Sequence, residues 1–436
     1  MMENVFTRLK GYTDNMKIAL YGISRVGKDT LINKLITAFP QNLTHVKGSS
    51  TLKILSKKIF NQDIDSIAEE DLNYLRIKFV EYLNSIDNLE TNIIVDGHFS
   101  FPNKTGEYNV VFTQSDLLCY DLFIYYKRDS KVIMQNARVD INHKYYHFLE
   151  EENSINAWVD FEISSLKEIC ELNNKQFIVI DDDFHTIQKF FSEIIYDTQR
   201  ILQNSISYRI STEIMKRAKD KKTIILTDCD KTISITDPTL SVIEKIGVET
   251  SFLKAIFKGD YYTIYQFFKM NEFIDQDKYA TQILEVSHLT RLNNPLVEEL
   301  IKHRDQAFVV GVTTGLASLW SNINKKTNIF DILIGFSGYN DQSVFNTLVT
   351  PQIKGDIMKN LVDNNYHTIA IGDSIIDSKM IEIAHQAYIV CSSNIDLRLQ
   401  QFLKFNSHIQ PKQFEFNSQK YDDLEEVNTI WLKNLK

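Results

Sequence analysis

The chain has 436 residues, 43% hydrophobic and 24% charged, with a net charge of −9 at pH 7. Such a length and balance suit a soluble protein of two or three domains, and the acidic total argues against a dedicated binder of long polynucleotides, whose affinity comes from neutralising phosphates. Four scattered cysteines (Cys119, Cys170, Cys229, Cys391) without a CxxC pair exclude a disulfide framework or cysteine zinc site and fit a reducing, cytoplasmic setting. Neither a signal peptide nor a membrane span is expected, because no apolar run approaches the roughly 18 residues a span needs.

In chain order, the first element is a buried strand, KIALYG (residues 17–22). It runs directly into Gly22-Ile23-Ser24-Arg25-Val26-Gly27-Lys28-Asp29-Thr30 and then into the helical pattern LINKLITAF. Glycines at 22 and 27 let backbone N–H groups curl around phosphate oxygens. Lys28 adds charge, and the following helix N-terminus favours an anion. The common form of this loop has Ser or Thr directly after the lysine; here Asp29 stands there and Thr30 follows. Further apolar runs, IIVDGH (93–98), LFIYY (122–126) and FIVIDDD (177–183), alternate with helical stretches and predict a doubly wound parallel sheet of α/β class. Asp96 ends one of these strands, in the position of a second acid for magnesium or its water shell. Arg76, Arg128 and Arg138 are candidates to meet or clamp phosphoryl groups, and His98 is a loop residue beside Asp96. Residues 184–221 read as a last helix and a connector helix, which sets the domains at 1–205 and 206–436.

The second half opens the same way. TIILTD (223–228) is a strand that meets Asp228-Cys229-Asp230-Lys231-Thr232. Parallel sheets bind ligands at the carboxyl ends of their strands. Two carboxylates one residue apart can divide nucleophilic and proton-transfer work. FVVGVTT (308–314) ends at Thr313, or in another alignment Thr314, a hydroxyl placed to hold a phosphate oxygen. Lys354 opens the helical stretch KGDIMKNLV and can neutralise a phosphoryl group. TIAIGD (368–373) leads into Asp373 and Asp377, two acids suited to a hard ion such as Mg²⁺. ILIGF (332–336) and AYIV (387–390) complete a second parallel sheet, and the tail after about 405 carries no signal.

These four strand-end motifs, over about residues 222–400, resemble the haloacid-dehalogenase (HAD) phosphatase superfamily. The resemblance implies Asp228 as nucleophile and metal ligand, and Asp230 as general acid/base with its backbone carbonyl on the metal. It places Thr313 and Lys354 on the phosphate, and Asp373 on magnesium with Asp377 beside it. The helical segments TLSVIEKIG, SFLKAIFKG, YTIYQFFKM and KYATQILEV, within 233–306, look like the cap of phosphoserine phosphatases, which admits small substrates. The aromatic run Tyr261, Tyr262, Tyr265, Phe267 and Phe268 is expected as cap core.

Residues 16–195 resemble nucleoside monophosphate kinases of the adenylate-kinase-like class, especially the archaeal type with Asp-x-His after the second strand. This implies ATP on Gly22, Ser24, Arg25, Val26, Gly27, Lys28, Asp29 and Thr30, with Asp96 and Arg138 assisting. The γ-phosphoryl group would pass to a small phosphorylated metabolite or nucleotide. The same order of domains occurs in phage-type polynucleotide kinase–phosphatases, which repair nucleic-acid ends. Those need an acid shortly after the first helix, and the corresponding stretch here, QNLTHVKGSSTLK, has none, although Asp63 or Asp65 lies beyond it. A third reading makes the first half a nucleotide sensor regulating the phosphatase. The expectation is a bifunctional small-molecule kinase and Mg²⁺-dependent phosphatase.

Overall fold

Two parallel sheets organise the chain, and their central strands are apolar along nearly their whole length because helices cover both faces. The computed structural model describes residues 16–86, 91–103, 105–196, 201–258, 262–337, 344–391 and 395–415. The chain divides into two units, Met1–Thr198 and Gln199–Lys436.

In the first unit β1 (Lys17–Tyr21), β2 (Leu43–Lys47), β3 (Asn92–Asp96), β6 (Leu122–Tyr126) and β7 (Gln176–Ile180) form a five-stranded parallel sheet in the order β2-β3-β1-β6-β7. A short antiparallel hairpin, β4 (Ser100–Pro102) with β5 (Tyr108–Val110), follows β3. The chain leaves β1 towards one edge and β3 towards the other, so the two strand ends flank the crevice where such sheets bind ligands. β2 was not expected, because LTHVK has only two buried positions; it is an edge strand held by its backbone ladder to β3. Beneath this crevice lies Glu162, with none of its surface exposed. It accepts hydrogen bonds from Ser100 N and Oγ (both 2.9 Å), Tyr125 Oη (2.9 Å) and Trp158 Nε1 (3.2 Å).

The second unit contains β8 (Thr223–Thr227), β9 (Ala307–Leu316), β10 (Ile332–Phe336), β11 (Val344–Asn346), β12 (His367–Gly372), β13 (Gln386–Cys391) and β14 (Lys412–Glu415). All pairs are parallel, in the order β11-β10-β9-β8-β12-β13-β14. Its crossover reverses between β8 and β12. The last strand, β14, lies in the tail that gave no sequence signal; KQFE has no apolar run, and backbone pairing to β13 holds it at the edge.

Among the described residues, five helices from Pro238–Lys245 to Asn294–Lys302 stand between β8 and β9, within the stretch expected as the cap, and the last of them follows the second connection to it at residues 291–293. Tyr265, Phe267 and Phe268 are buried in it and Tyr262 is half-buried, while Tyr261 lies outside the described residues. The two cap connections are tied together, Asn293 N donating to Ile233 O (2.8 Å) and Ile235 N to Arg291 O (3.0 Å). Gln276 of the cap donates through Nε2 to Phe336 O at the end of β10 (3.0 Å).

The helix Gln203–Ala218 packs on the helix Pro351–Asp363, burying Ile206, Ile210 and Ile214, spaced one helical turn apart. Asn360 Nδ2 donates to Ser211 Oγ across this contact (3.1 Å). No helix among the described residues is long and apolar enough to cross a membrane.

Candidate active site

Asp228 follows β8 immediately, and its N–H still continues the sheet by donating to Ile371 O of β12 (2.8 Å). The carboxylate is thereby fixed at the crevice between these strands. Lys231 takes a left-handed conformation (φ 57°), which turns the chain back and allows Asp230 to reach the site from two residues further on. Lys354 arrives from the opposite direction. Thr350 caps its helix by accepting from Ile353 N (3.1 Å), and Pro351 starts the first turn, so Lys354 lies in that turn with its side chain directed at the strand ends.

Lys354 is fully buried. Its Nζ donates to Asp228 Oδ1 (2.5 Å) and to Asp377 Oδ1 (2.7 Å). The other oxygen of Asp377 accepts from Asp373 N (3.1 Å), Ser374 N (3.2 Å) and Ser374 Oγ (3.4 Å), so this carboxylate also shapes the loop that carries Asp373. Thr232 Oγ1 donates to Asp373 Oδ1 (3.3 Å). Asp228, Asp373 and Asp377 each offer an oxygen within 4.8 Å of the others.

The charges do not balance within this cluster. Burial pushes Asp228 well above the ordinary carboxylate value, and repulsion from Asp377, Asp373 and Asp230 adds to it against Lys354. Burial and Asp377 push Asp373 up to about 8. Burial works against the Lys354 ammonium, but Asp228 and Asp377 outweigh it and hold its pKa above the ordinary lysine value. A surplus of buried negative charge on oxygen donors alone is what a hard divalent cation relieves, so the residues present fit magnesium.

Asp230 is half-buried beside the helix Pro238–Lys245. Its Oδ1 accepts from Thr239 Oγ1 (3.0 Å) and Thr239 N (3.3 Å), and its Oδ2 from Thr313 Oγ1 (3.2 Å) and Trp320 Nε1 (3.4 Å). Burial and the nearby Asp237 raise it to about 6 against these donors. Thr313, fully buried, meets this acid; Thr314 is half-buried beside it. Sequence reasoning missed Thr239 and Trp320. Thr239 had one signal, the Asp237-Pro238 helix start that sets it in a first helical turn, with Asp237 accepting from Leu240 N (3.0 Å).

In the first unit the segment from Gly22 to Lys28 forms a tight loop between β1 and the helix Lys28–Ala38, with Arg25 (φ 65°) and Gly27 (φ 97°) left-handed. Ser24 and Val26 are buried, while Asp29 and Thr30 are exposed in the first helical turn. Lys28 Nζ folds back onto the carbonyl oxygens of Gly22 and Ile23, and burial lowers its pKa to about 8 against Glu162, Asp96 and Asp29. Oδ1 of Asp96 is engaged by His45 Nε2 (2.8 Å) and Gly48 N (3.2 Å). Burial opposes ionisation of Asp96, but these donors hold it below the usual carboxylate value. Among the described residues His98 Nδ1 is buried without a hydrogen-bond partner, and burial, then Lys28 and His143, push this imidazole well below its ordinary value. Arg25 pairs with Asp140, and Asn136 Nδ2 donates to Arg25 O (2.9 Å), so the segment after β6 touches the loop. Arg138 is exposed at the end of the helix Ser130–Ala137, Arg128 lies against the Tyr126 ring, and Arg76 bonds Asn73.

No family model and no curated protein sequence matches the chain. Solved structures similar to it include a HAD family hydrolase from Salmonella enterica serovar Typhi (14% identity, 48% of this chain and 76% of that one, TM-score 0.35). A phosphoserine phosphohydrolase-like protein from Francisella tularensis matches at 18% identity over 43% of this chain and all of its own length (TM-score 0.30). A shikimate kinase from Bacteroides thetaiotaomicron matches at 12% identity over 42% of this chain and 98% of its own (TM-score 0.28). Similarity at this level bears on neither activity nor substrate.

Proposed function

We propose that the second unit is a magnesium-dependent phosphomonoester phosphatase working through an aspartyl-phosphate on Asp228. The observation that carries this reading is Lys354, buried between Asp228 and Asp377 at the switch of a parallel sheet, with Asp230 two residues beyond the nucleophile. An Asp228 oxygen attacks phosphorus, and the bond to the leaving oxygen breaks as that oxygen takes a proton from Asp230. Asp230, now a carboxylate, then takes a proton from water. The water oxygen attacks the aspartyl-phosphate, and the bond to Asp228 breaks to release inorganic phosphate. Lys354 holds the phosphoryl oxygens, while Thr313, expected on the phosphate, donates its hydroxyl to Asp230 Oδ2. Asp228, Asp373, Asp377 and the backbone carbonyl of Asp230 would hold magnesium, which when bound withdraws charge from the phosphoryl group and keeps Asp228 ionised. The cap limits the substrate to a small phosphorylated metabolite or nucleotide.

The first unit, in the same reading, binds ATP and passes its γ-phosphoryl group to a small acceptor. Support comes from the loop Gly22–Lys28 with its left-handed residues at 25 and 27 and its lysine at the crevice. Phosphoryl transfer needs chiefly positioning and charge neutralisation, which in this reading Lys28 would give on turning from the Gly22 and Ile23 carbonyls to the phosphates, and Arg25 on leaving Asp140.

The test is a substrate screen with Mg²⁺, pairing labelled ATP with nucleoside monophosphates, small metabolites and 5′-hydroxyl oligonucleotides, and following phosphate release from phosphorylated forms of each. Asp228→Asn is expected to abolish release while leaving ATP binding intact. Full phosphatase activity in this variant would overturn the nucleophile. Labelling of an oligonucleotide end, with removal of a 3′-phosphate, would replace the small-molecule reading with nucleic-acid end repair, and ATP binding without transfer to any acceptor would leave a nucleotide sensor.

A further inference from the structure

The two oxygens of Asp230 belong to different parts of the second unit. Oδ2 is held by the core, through Thr313 on β9 and Trp320 on the helix Ala317–Thr327. Oδ1 is held by the cap alone among the described residues, through the side chain and backbone of Thr239 in the first turn of Pro238–Lys245.

The hydroxyl orientations follow from donor arithmetic. Leu316 N–H donates to Thr239 Oγ1 (3.3 Å), and an amide can only donate. The proton of Thr239 is therefore free for Asp230. In the same way Gly315 N–H donates to Thr313 Oγ1 (2.9 Å), which leaves that hydroxyl to donate to the other carboxylate oxygen. One turn of backbone at the end of β9 thus aims both hydroxyls. Its closeness requires glycine: a Cβ on Gly315 would fall 2.4 Å from Thr239 Oγ1 and 2.5 Å from Asp230 Oδ2.

We infer that Thr239 is a positioning residue that couples the seat of the cap to the proton-transfer geometry of Asp230, so that the acid is aimed only when the first cap helix is docked on Gly315 and Leu316. This rests on the phosphatase reading above and goes beyond it by giving the cap a part in the proton transfer as well as in enclosing the substrate.

A misaimed acid harms a poor leaving group far more than a good one, because nitrophenolate departs with little need of a proton. The experiment compares Thr239→Val and Thr239→Ser with the unaltered full-length chain on glycerol 2-phosphate and p-nitrophenyl phosphate. Leaving-group release is followed in the first turnover, so that the later attack by water does not enter. Thr239→Val is expected to lose at least about tenfold in the first-turnover rate on the alkyl ester. Loss on the nitrophenyl ester should stay below about threefold, the substrate concentration at half-maximal rate should not move, and Ser should restore the alkyl rate. Equal losses on both esters, no loss, or a change confined to half-saturation would overturn the coupling. Should Val melt well below the unaltered chain, Thr239→Ala supplies the second arm, since it removes the same hydroxyl without setting a methyl group against the Asp230 carboxylate and must give the same leaving-group split; no split overturns the inference. Absence of any Asp228-dependent activity in the unaltered chain would instead sink the phosphatase reading, and the coupling with it.

Discussion

Lys354 and Asp377 form an ion pair at 2.7 Å in which neither side chain has any exposed surface. A second bond from the same Nζ reaches Asp228, so one ammonium neutralises parts of two buried carboxylates. Removing one member of a buried pair leaves the other charge without compensation, which costs about 3–5 kcal/mol. Lys354→Met is therefore expected to lower the melting temperature of the second unit by on the order of 10 °C. Adding Asp377→Asn to it should recover part of the loss, a coupling a double-mutant cycle reads directly. A Lys354→Met chain that melts with the unaltered protein would refute this account of the cluster.

The surplus negative charge predicts a thermal response to magnesium. Ion at a hundred times its dissociation constant stabilises by about 2.7 kcal/mol, or roughly 5–10 °C for a unit of this size. Asp373→Asn should remove most of that rise while remaining folded in the presence of a chelator. Identical shifts in the two chains would show that the ion is held elsewhere.

Asp356 offers a test of electrostatics away from the chemistry. Burial raises its carboxyl to about 6, against a hydrogen bond from Gln352 Nε2 (2.8 Å). The folded chain thus holds this proton more tightly than the unfolded chain. Between about pH 4 and 6 its contribution to stability falls as pH rises, and above pH 6 the penalty is constant. Asp356→Asn keeps an acceptor for Gln352 and has no charge to bury. It should be more stable than the unaltered chain above pH 6 by about 1 kcal/mol, after discounting for partial exposure, with the difference fading towards pH 4. Denaturant melts at pH 4, 5, 6 and 7.5 measure it, and a pH-independent difference would contradict the assignment.

In the first unit, phosphate oxygens would hold Lys28 in its charged form, whereas burial lowers the unliganded ammonium to about 8. ATP affinity should accordingly fall as pH rises above about 8, approaching tenfold per unit. Lys28→Ala should bind ATP at least about tenfold more weakly and lose that pH dependence, without change in phosphate release by the second unit. Calorimetric titrations from pH 7 to 9.5 decide it: ATP affinity that is flat with pH and indifferent to Lys28→Ala would remove the phosphate-binding role of the loop.

Lys354 was legible in the sequence because it opens a helical stretch, and Asp228 and Asp373 because each stands at a boundary between an apolar run and a polar motif, where a strand of the parallel sheet ends. The glycines at 22 and 27 were legible for the same reason. Thr239, Gly315 and Trp320 were not, since their value lies in a meeting between a cap helix, a strand end and a core helix that no local pattern records. The edge strands β2 and β14 escaped notice because they are held by backbone pairing, and LTHVK and KQFE have little apolar periodicity to display. Glu162 was hidden by its setting: an acid in a long amphipathic helix ordinarily reads as a solvated face, and here four donors hold it in the interior.

The packing of Gln203–Ala218 on Pro351–Asp363 has a consequence for synthesis. Ser211 and Asn360, which bond across it, are 149 positions apart in the chain. At translation speeds of about 5–20 residues per second, the first helix emerges on the order of ten seconds before its partner exists. During that wait the stripe Ile206, Ile210 and Ile214 lacks the cover that the helix Pro351–Asp363 will give it, and Asp228 has been made without the ammonium that will face it. The helix that arrives late supplies both the missing apolar cover and Lys354, so the nascent second unit stays exposed to chaperones and proteases until the piece that completes its charge cluster leaves the ribosome.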